Sequence, residues 1–226
     1  MSADDVLSPE LRDALADLPV FPLPEAILFP GALLPLHIFE PRYRAMLAHC
    51  LQTHRAMVIA RICEGVEPDA EGRPRFASIA GLGVIVRHQS LPDGRANIVL
   101  QGRARVAIEE RPSDAPFRRV RAVVRPEIET PIAATDRAAL IAAATAFANA
   151  LESHQNLAFA LPPDAPPQTI ADLCAQHLLF DADVRQAVLE ERDVAARVRR
   201  VTAELTLQRY ALQQGDDGSD KRGTLN

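Results

Sequence analysis

A chain of 226 residues, 48% hydrophobic and 24% charged, has the makeup of a folded globular protein with a sizeable core, which excludes a disordered or fibrous one. Its formal net charge of −5 argues against a molecule built as a whole to sit on nucleic acid or an anionic membrane. Three cysteines, Cys50, Cys63 and Cys174, form an odd, widely spaced set with no CxxC pair, and read as buried small apolar residues in a reducing compartment.

The chain opens with MSADDVLSPE, acidic where a secretory leader would be basic. No later apolar run is long enough to span a bilayer. Ala138–Leu151 comes nearest, but it is short and Asn149 and Glu152 interrupt it. A cytoplasmic location is expected. After a few flexible residues, Ser8, Pro9 and Glu10 supply a cap, a first-turn proline and an acidic residue for a short helix.

The stretch from Leu18 to Arg44, LPVFPLPEAILFPGALLPLHIFEPRYR, organises the rest. Five prolines among large apolar residues, before a sixth at Pro41, forbid one helix, because each interior proline removes a backbone donor and clashes with the preceding turn. The stretch reads as extended pieces, Leu18–Phe21, Ala26–Phe29 and Leu33–Phe39, broken most sharply at Pro30-Gly31. At Glu40-Pro41 it turns helical, with Tyr43, Met46, Leu47 and Cys50 recurring on one face of Pro41–Gln52.

Ala56–Ile62 then predicts a buried strand, Glu64–Arg75 an exposed loop, and Phe76–Gln89 a long strand that Gly81 and Gly83 invite to bulge. Pro92-Asp93-Gly94-Arg95 is a hairpin signal, since Asp-Gly accepts the positive φ of tight turns. Asn97–Leu100, Arg103–Glu109 and Phe117–Val124 complete an antiparallel barrel or curled sheet. At Arg125–Thr135 strand formers give way to helix formers, which places a boundary there. Asp136–Ser153 carries an apolar face of Leu140, Ala144, Phe147 and Leu151, and Leu161–Pro167 is a connector. Thr169 and Asp172 have the form of a capping box for a helix to about Phe180. Asp183 and Asp193 cap two more, Val184–Glu191 and Val194–Leu212, the last with Val194, Val198, Val201, Leu205 and Leu212 as its stripe. The expected division is a β-rich part over 1–128, a helical part over 129–212 and a disordered tail over 213–226, an α+β chain.

The strings LPVFPL, LFPG, LPLHIFEPRYRAML and PDGR followed by GRARVAI resemble the N-terminal substrate-binding domain of Lon proteases, over roughly Leu18–Leu207. The residues that carry the likeness are Pro30, Gly31, Phe39, Glu40, Pro41, Arg42, Tyr43, Asp93 and Gly94. The resemblance implies a PUA-like β-rich half followed by a helical half. It also implies a domain standing alone, since 226 residues leave no room for an ATPase or a peptidase.

Catalytic patterns are missing from the sequence. The one lysine, Lys221, falls in the tail, which removes a P-loop, a Ser-Lys dyad and a Schiff-base enzyme. There is no GxSxG, HExxH or GxGxxG motif. Cys50, His54, His49 and His37 are spaced as a metal site would be, but packing explains them as well. Glu25, Glu40 and Glu64 are carboxylates without a known separation, and Glu40 suits the positive end of the following helix with Arg42 or Arg44 as partner. Catalytic, cofactor and metal residues are therefore expected to be none.

Two binding functions stay open. The resemblance implies recognition of unfolded or extended polypeptide, with a protease or ATPase system as the associated partner. That reading needs an exposed apolar groove or sheet edge, for which Leu28, Phe29, Leu33 and Leu34 are the candidates. The alternative is RNA binding by Arg103, Arg105, Arg119 and Arg121, which alternate in pairs along two strands, each pair on one sheet face, and would form one patch if the two strands are neighbours. Glu109, Glu110 and Asp114 oppose it, as does the scarcity of aromatic residues for stacking.

Overall fold

The computed structural model describes residues 7–155, 161–162 and 164–220; the opening residues, Lys221 and the last residues of the expected tail lie outside them. The chain forms two compact units, Met1–Glu127 with Ala182–Arg192, and Ile128–Asp181 with Asp193–Asn226.

The first unit is built on strands β1 (Leu18–Leu23), β2 (Leu33–Ile38), β3 (Ala56–Arg61), β4 (Ile79–Ser90), β5 (Ala96–Arg111) and β6 (Arg119–Val124). It also holds helix α1 (Pro9–Ala14) and helix α2 (Pro41–Gln52). The sheet order is β2-β5-β4-β3-β1-β6, and β6 pairs again with β5, so five strands close a barrel and β2 is added outside it on the first half of β5. This closure corrects one expectation: β1 and β3 run parallel, so the barrel is mixed and not wholly antiparallel. The two pieces expected at Asn97–Leu100 and Arg103–Glu109 are one continuous strand, whose first half pairs with β2 and whose second half pairs with β6. A register shift between Leu82 and Gly83 marks the expected bulge.

Both prolines of β1 sit where no ladder bond is asked of them. Val20 donates to Arg118 O on the β6 side, so Pro22 faces that side too, beyond the end of β6. Pro19 faces the β3 side, where pairing begins only at Val20. Alternate residues feed two cores: Val20, Val58 and Leu82 join one, while Phe21, Met57 and Ile59 join another that α2 covers with Tyr43, Met46, Leu47 and Cys50.

Ala26–Phe29 is the second correction. It forms no strand; Ile27, Leu28 and Phe29 are buried to 2%, 0% and 0% exposure and act as a plug. Glycine makes room for it. A β-carbon on Gly81 would collide with the Leu28 carbonyl, and one on Gly102 with the Phe29 carbonyl. The segment then hydrogen-bonds to the strand it lies on, Gly31 donating to Gly102 O at 3.0 Å and Gly102 donating to Ala32 O at 2.9 Å. The hairpin between β4 and β5 turns at Gly94, φ +78°, with Arg95 N donating to Asp93 Oδ1 at 3.1 Å.

Helix α5 (Ala182–Glu190) completes this unit although it comes late in the chain. Arg61 Nη1 donates to Asp183 Oδ1 at 2.6 Å, and Gln186 Nε2 donates to Ile79 O at 2.9 Å. Its sequence pattern matches that of the neighbouring helices, so nothing in a linear reading marks the return.

The second unit packs helices α3 (Ala134–Gln155), α4 (Pro167–His177) and α6 (Val194–Asp220). The expected stripe Leu140, Ala144, Phe147 and Leu151 is buried, as are Val194, Val198, Val201 and Leu205. Asp193 Oδ1 caps α6 by accepting from Ala196 N at 2.8 Å. The Thr169–Asp172 capping box is not used: α4 starts at Pro167 after Pro166, and Asp172 turns inward to pair with the fully buried Arg197 at 3.1 Å. Helix α6 runs past Leu212 to Asp220, where a tail was expected from Gln213; Gln214 Nε2 donates back to Tyr210 Oη at 2.6 Å.

Candidate functional site

A cleft of about 580 Å³ opens in the first unit, between the end of β1, the end of β2, the start of α2 and the β5–β6 connection. Each wall follows from a local feature. The unpaired edge of β1 beyond Val20 supplies Phe21 and Pro22, and the turn into Pro41 projects Phe39 outward, 58% exposed. The floor is aromatic: the Phe21 and Tyr43 ring centroids lie 4.2 Å apart, and burial pushes the Tyr43 phenol above its ordinary value. His37 stacks beside Phe39 at 6.0 Å, with its Nδ1 2.7 Å from Asn97 Oδ1.

The rim is charged and tied down. Arg42 Nε donates to Glu40 Oε2 at 2.9 Å and its guanidinium covers Tyr43 at 4.5 Å. Arg118 grips Glu110 with two bonds, 2.7 and 2.5 Å, and donates to Pro74 O at 2.6 Å. Arg73 reaches the same carboxylate at 3.6 Å and donates to Asp69 at 2.8 Å, which holds the Glu64–Arg75 loop against the cleft. An apolar floor with a fixed polar rim suits a ligand that is itself mostly apolar with a polar backbone or flank.

The expected polypeptide-binding residues divide. Leu28 and Phe29 have no exposed surface, because the plug consumes them, and so have none to offer a ligand. Leu33 is half exposed, and Leu34 is partly buried against the core that lines the cleft. Leu36, Phe117 and Arg118 carry no sequence signal of a site, and Phe39 enters the sequence pattern only as one of the residues that carry the resemblance, yet all four line the cleft. Phe39 carried a usable signal, since a large apolar residue directly before a helix proline has little helix surface to pack on.

The arginines do not form one cationic patch. Arg103 and Arg121 are exposed, but Arg105 is buried, donating to Leu189 O at 3.0 Å with Glu127 3.3 Å away. Arg119 donates to Asp17 at 2.8 Å, and Glu109 stands opposite Arg121 on the ladder. Spacing alone could not show that α5 covers Arg105.

Of the cysteine and histidine set, His49 and His54 line one small recess, while Cys50 is turned into the core. Cys50 is buried, donates its Sγ to Ala56 O at 3.3 Å, and has its thiol pushed up to about 12 by burial. Cys174 is likewise buried and Cys63 half-buried. Among the described residues no three His, Cys, Asp or Glu side chains converge as metal ligands would. Of the carboxylates Glu25, Glu40 and Glu64, the cleft takes Glu40 alone. No helix among the described residues is long and apolar enough to cross a membrane.

The fold has known counterparts. The crystal structure of a Lon N-terminal domain protein from Xanthomonas campestris superposes with a TM-score of 0.61 at 21% identity, covering 83% of this chain and 98% of that one. The N-terminal domain of the Mycobacterium avium complex Lon protease gives 0.61 at 17% identity, over 84% and 98%. Among curated proteins, the Lon protease of Roseiflexus castenholzii is 29% identical over 202 residues, which is 88% of this chain and 25% of that protein. Lon protease 1 of Thermus thermophilus is 24% identical over 88% of this chain and 26% of its own length. The chain thus spans about a quarter of the length of the curated relatives it matches, and the match is to the substrate-binding part rather than to an ATPase or peptidase domain. With residues 17–206 matched by its model, the chain belongs to the family of the ATP-dependent protease La (LON) substrate-binding domain.

Proposed function

We propose that the protein binds extended or unfolded polypeptide through the cleft beneath Phe39, as a recognition element for a proteolytic system whose catalytic domains lie elsewhere. The observation that carries this reading is the exposed Phe39 set over an aromatic floor in a 580 Å³ cleft. An exposed apolar side chain continuous with an apolar, aromatic-lined recess forms the kind of contiguous surface that marks an interaction site. The rim supports it: its carboxylates are occupied by guanidinium groups and so are poorly placed for acid–base work. Three free thiols support the reducing, cytoplasmic setting that goes with this proposal.

Fluorescence anisotropy of a labelled unfolded polypeptide, at low and at high salt, tests it. Saturable, salt-tolerant binding that weakens in Phe39→Ala is the expected result. Binding confined to single-stranded RNA, collapsing as salt rises and lost on charge reversal at Arg103 and Arg121, would transfer the function to the arginine face.

A further inference from the structure

The edge of β2 carries an inference that rests on the polypeptide-binding reading and specifies how the segment is held. Among the described residues β2 is laddered on one side only, to β5. Gly102 donates to Ala32 O, and an antiparallel ladder repeats in steps of two. Leu34, Leu36 and Ile38 therefore turn their backbone groups to β5, while Leu33, Pro35 and His37 turn theirs outward. The outer edge offers acceptors at all three positions and donors at Leu33 and His37, with the Pro35 ring where a third donor would stand. Leu33, Pro35 and His37 are exposed, and Leu36 lines the cleft.

We propose that this edge takes up a polypeptide segment as an added strand, apolar on its cleft-facing row and acidic or neutral on the other. A strand laid there sets alternate side chains level with Leu34 and Leu36, toward the cleft, and the others level with Leu33, Pro35 and His37. The charge preference follows from the other face of the strand, where Arg87, with the neutral Gln89 and Asn97, lines the recess beside Pro35 and His37 and no carboxylate joins that lining. A second copy of this chain fits the edge less well. Pairing two β2 edges puts a proline from each on the shared ladder and loses two donors, and both copies are acidic overall. A foreign segment free of proline loses one.

The test uses a short fluorescein-labelled peptide alternating large apolar residues with glutamate or serine, and two versions N-methylated on alternate amides in complementary registers. Added-strand binding predicts that one version binds about tenfold or more weakly and the other within about twofold of the parent, because only one register turns its N–H groups to β2. Two versions that bind alike would overturn strand addition and leave polypeptide binding standing. A parent peptide that does not bind at all would overturn the polypeptide reading itself. His37→Pro removes an outward donor and leaves the β5 ladder intact; it is expected to weaken the parent about threefold or more while thermal unfolding shows a folded protein. A peptide with lysine in place of glutamate should bind less well than the parent, and one that binds better would overturn the charge preference. A concentration-dependent dimer in sedimentation, dispersed by His37→Pro, would overturn the assignment in favour of a second copy.

Discussion

Residues 27–32 and residues 33–39 are adjacent, both largely apolar and each carrying a single proline, yet the structure treats them oppositely. Ile27, Leu28 and Phe29 are sealed into the core without forming a strand, whereas Leu33–Ile38 forms a strand that stays largely exposed and leads to the protruding Phe39. Hydrophobicity does not separate the two. What separates them is the surface each meets: the first lies on strands stripped of side chains at Gly81, Gly83 and Gly102, and the second pairs with β5 along one edge only. An apolar run is buried where its partner yields space, and stays exposed where its ladder is half filled.

The difference can be broken from the buried side first. Gly81→Val drives a side chain into the Leu28 backbone, which cannot move aside as a flexible side-chain tip could, and is expected to cost about 3 kcal/mol or more in thermal or denaturant unfolding. Leu28→Ala removes plug contacts and leaves a cavity, for a loss of roughly 2–5 kcal/mol by the same measurement. On the exposed side, Phe39→Ala is expected to leave stability within about 0.5 kcal/mol and to weaken polypeptide binding about tenfold. If Phe39→Ala instead destabilised the fold as Leu28→Ala does, the contrast between the two halves would be lost.

The smallest expected effect concerns His49, on α2, whose ring packs 5.6 Å from Phe117 beside the cleft. Burial, with the Arg119 charge adding to it, holds its imidazole below the ordinary value of 6.5. The unfolded chain then binds a proton more readily than the folded one as pH falls through 6.5, so stability declines from there toward the lower folded value. His49→Gln should flatten that part of a stability–pH curve, and an unchanged slope would assign it to other groups.

Much of the architecture was legible because it depends on local chemistry. Pro41 starts α2, Asp93-Gly94 turns the hairpin, Ser8 and Asp193 cap their helices, and the stripes of α3 and α6 fall on buried positions. The misses share a cause, which is dependence on a distant partner. Ala26–Phe29 looks like a strand until the glycines beneath it are known, and Asp172 looks like a capping residue until Arg197 is placed against it. Arg105 looks like a surface cation until α5 covers it. The cleft was invisible for the same reason, since Phe21, Leu36, Phe39 and Phe117 meet only when the barrel closes.

That closure has a consequence for the order in which the molecule can be made. The pairing that shuts the barrel joins Leu18 and Pro19 to Val120 and Arg119, about a hundred positions later, and α5 arrives from Ala182 onward. During synthesis the first strand therefore meets β3 early, but its other neighbour, β6, exists only once more than half of the chain has emerged. The Leu18–Pro19 end of the apolar stretch stays without its closing partner for that interval, and the barrel core stays open until β6 arrives.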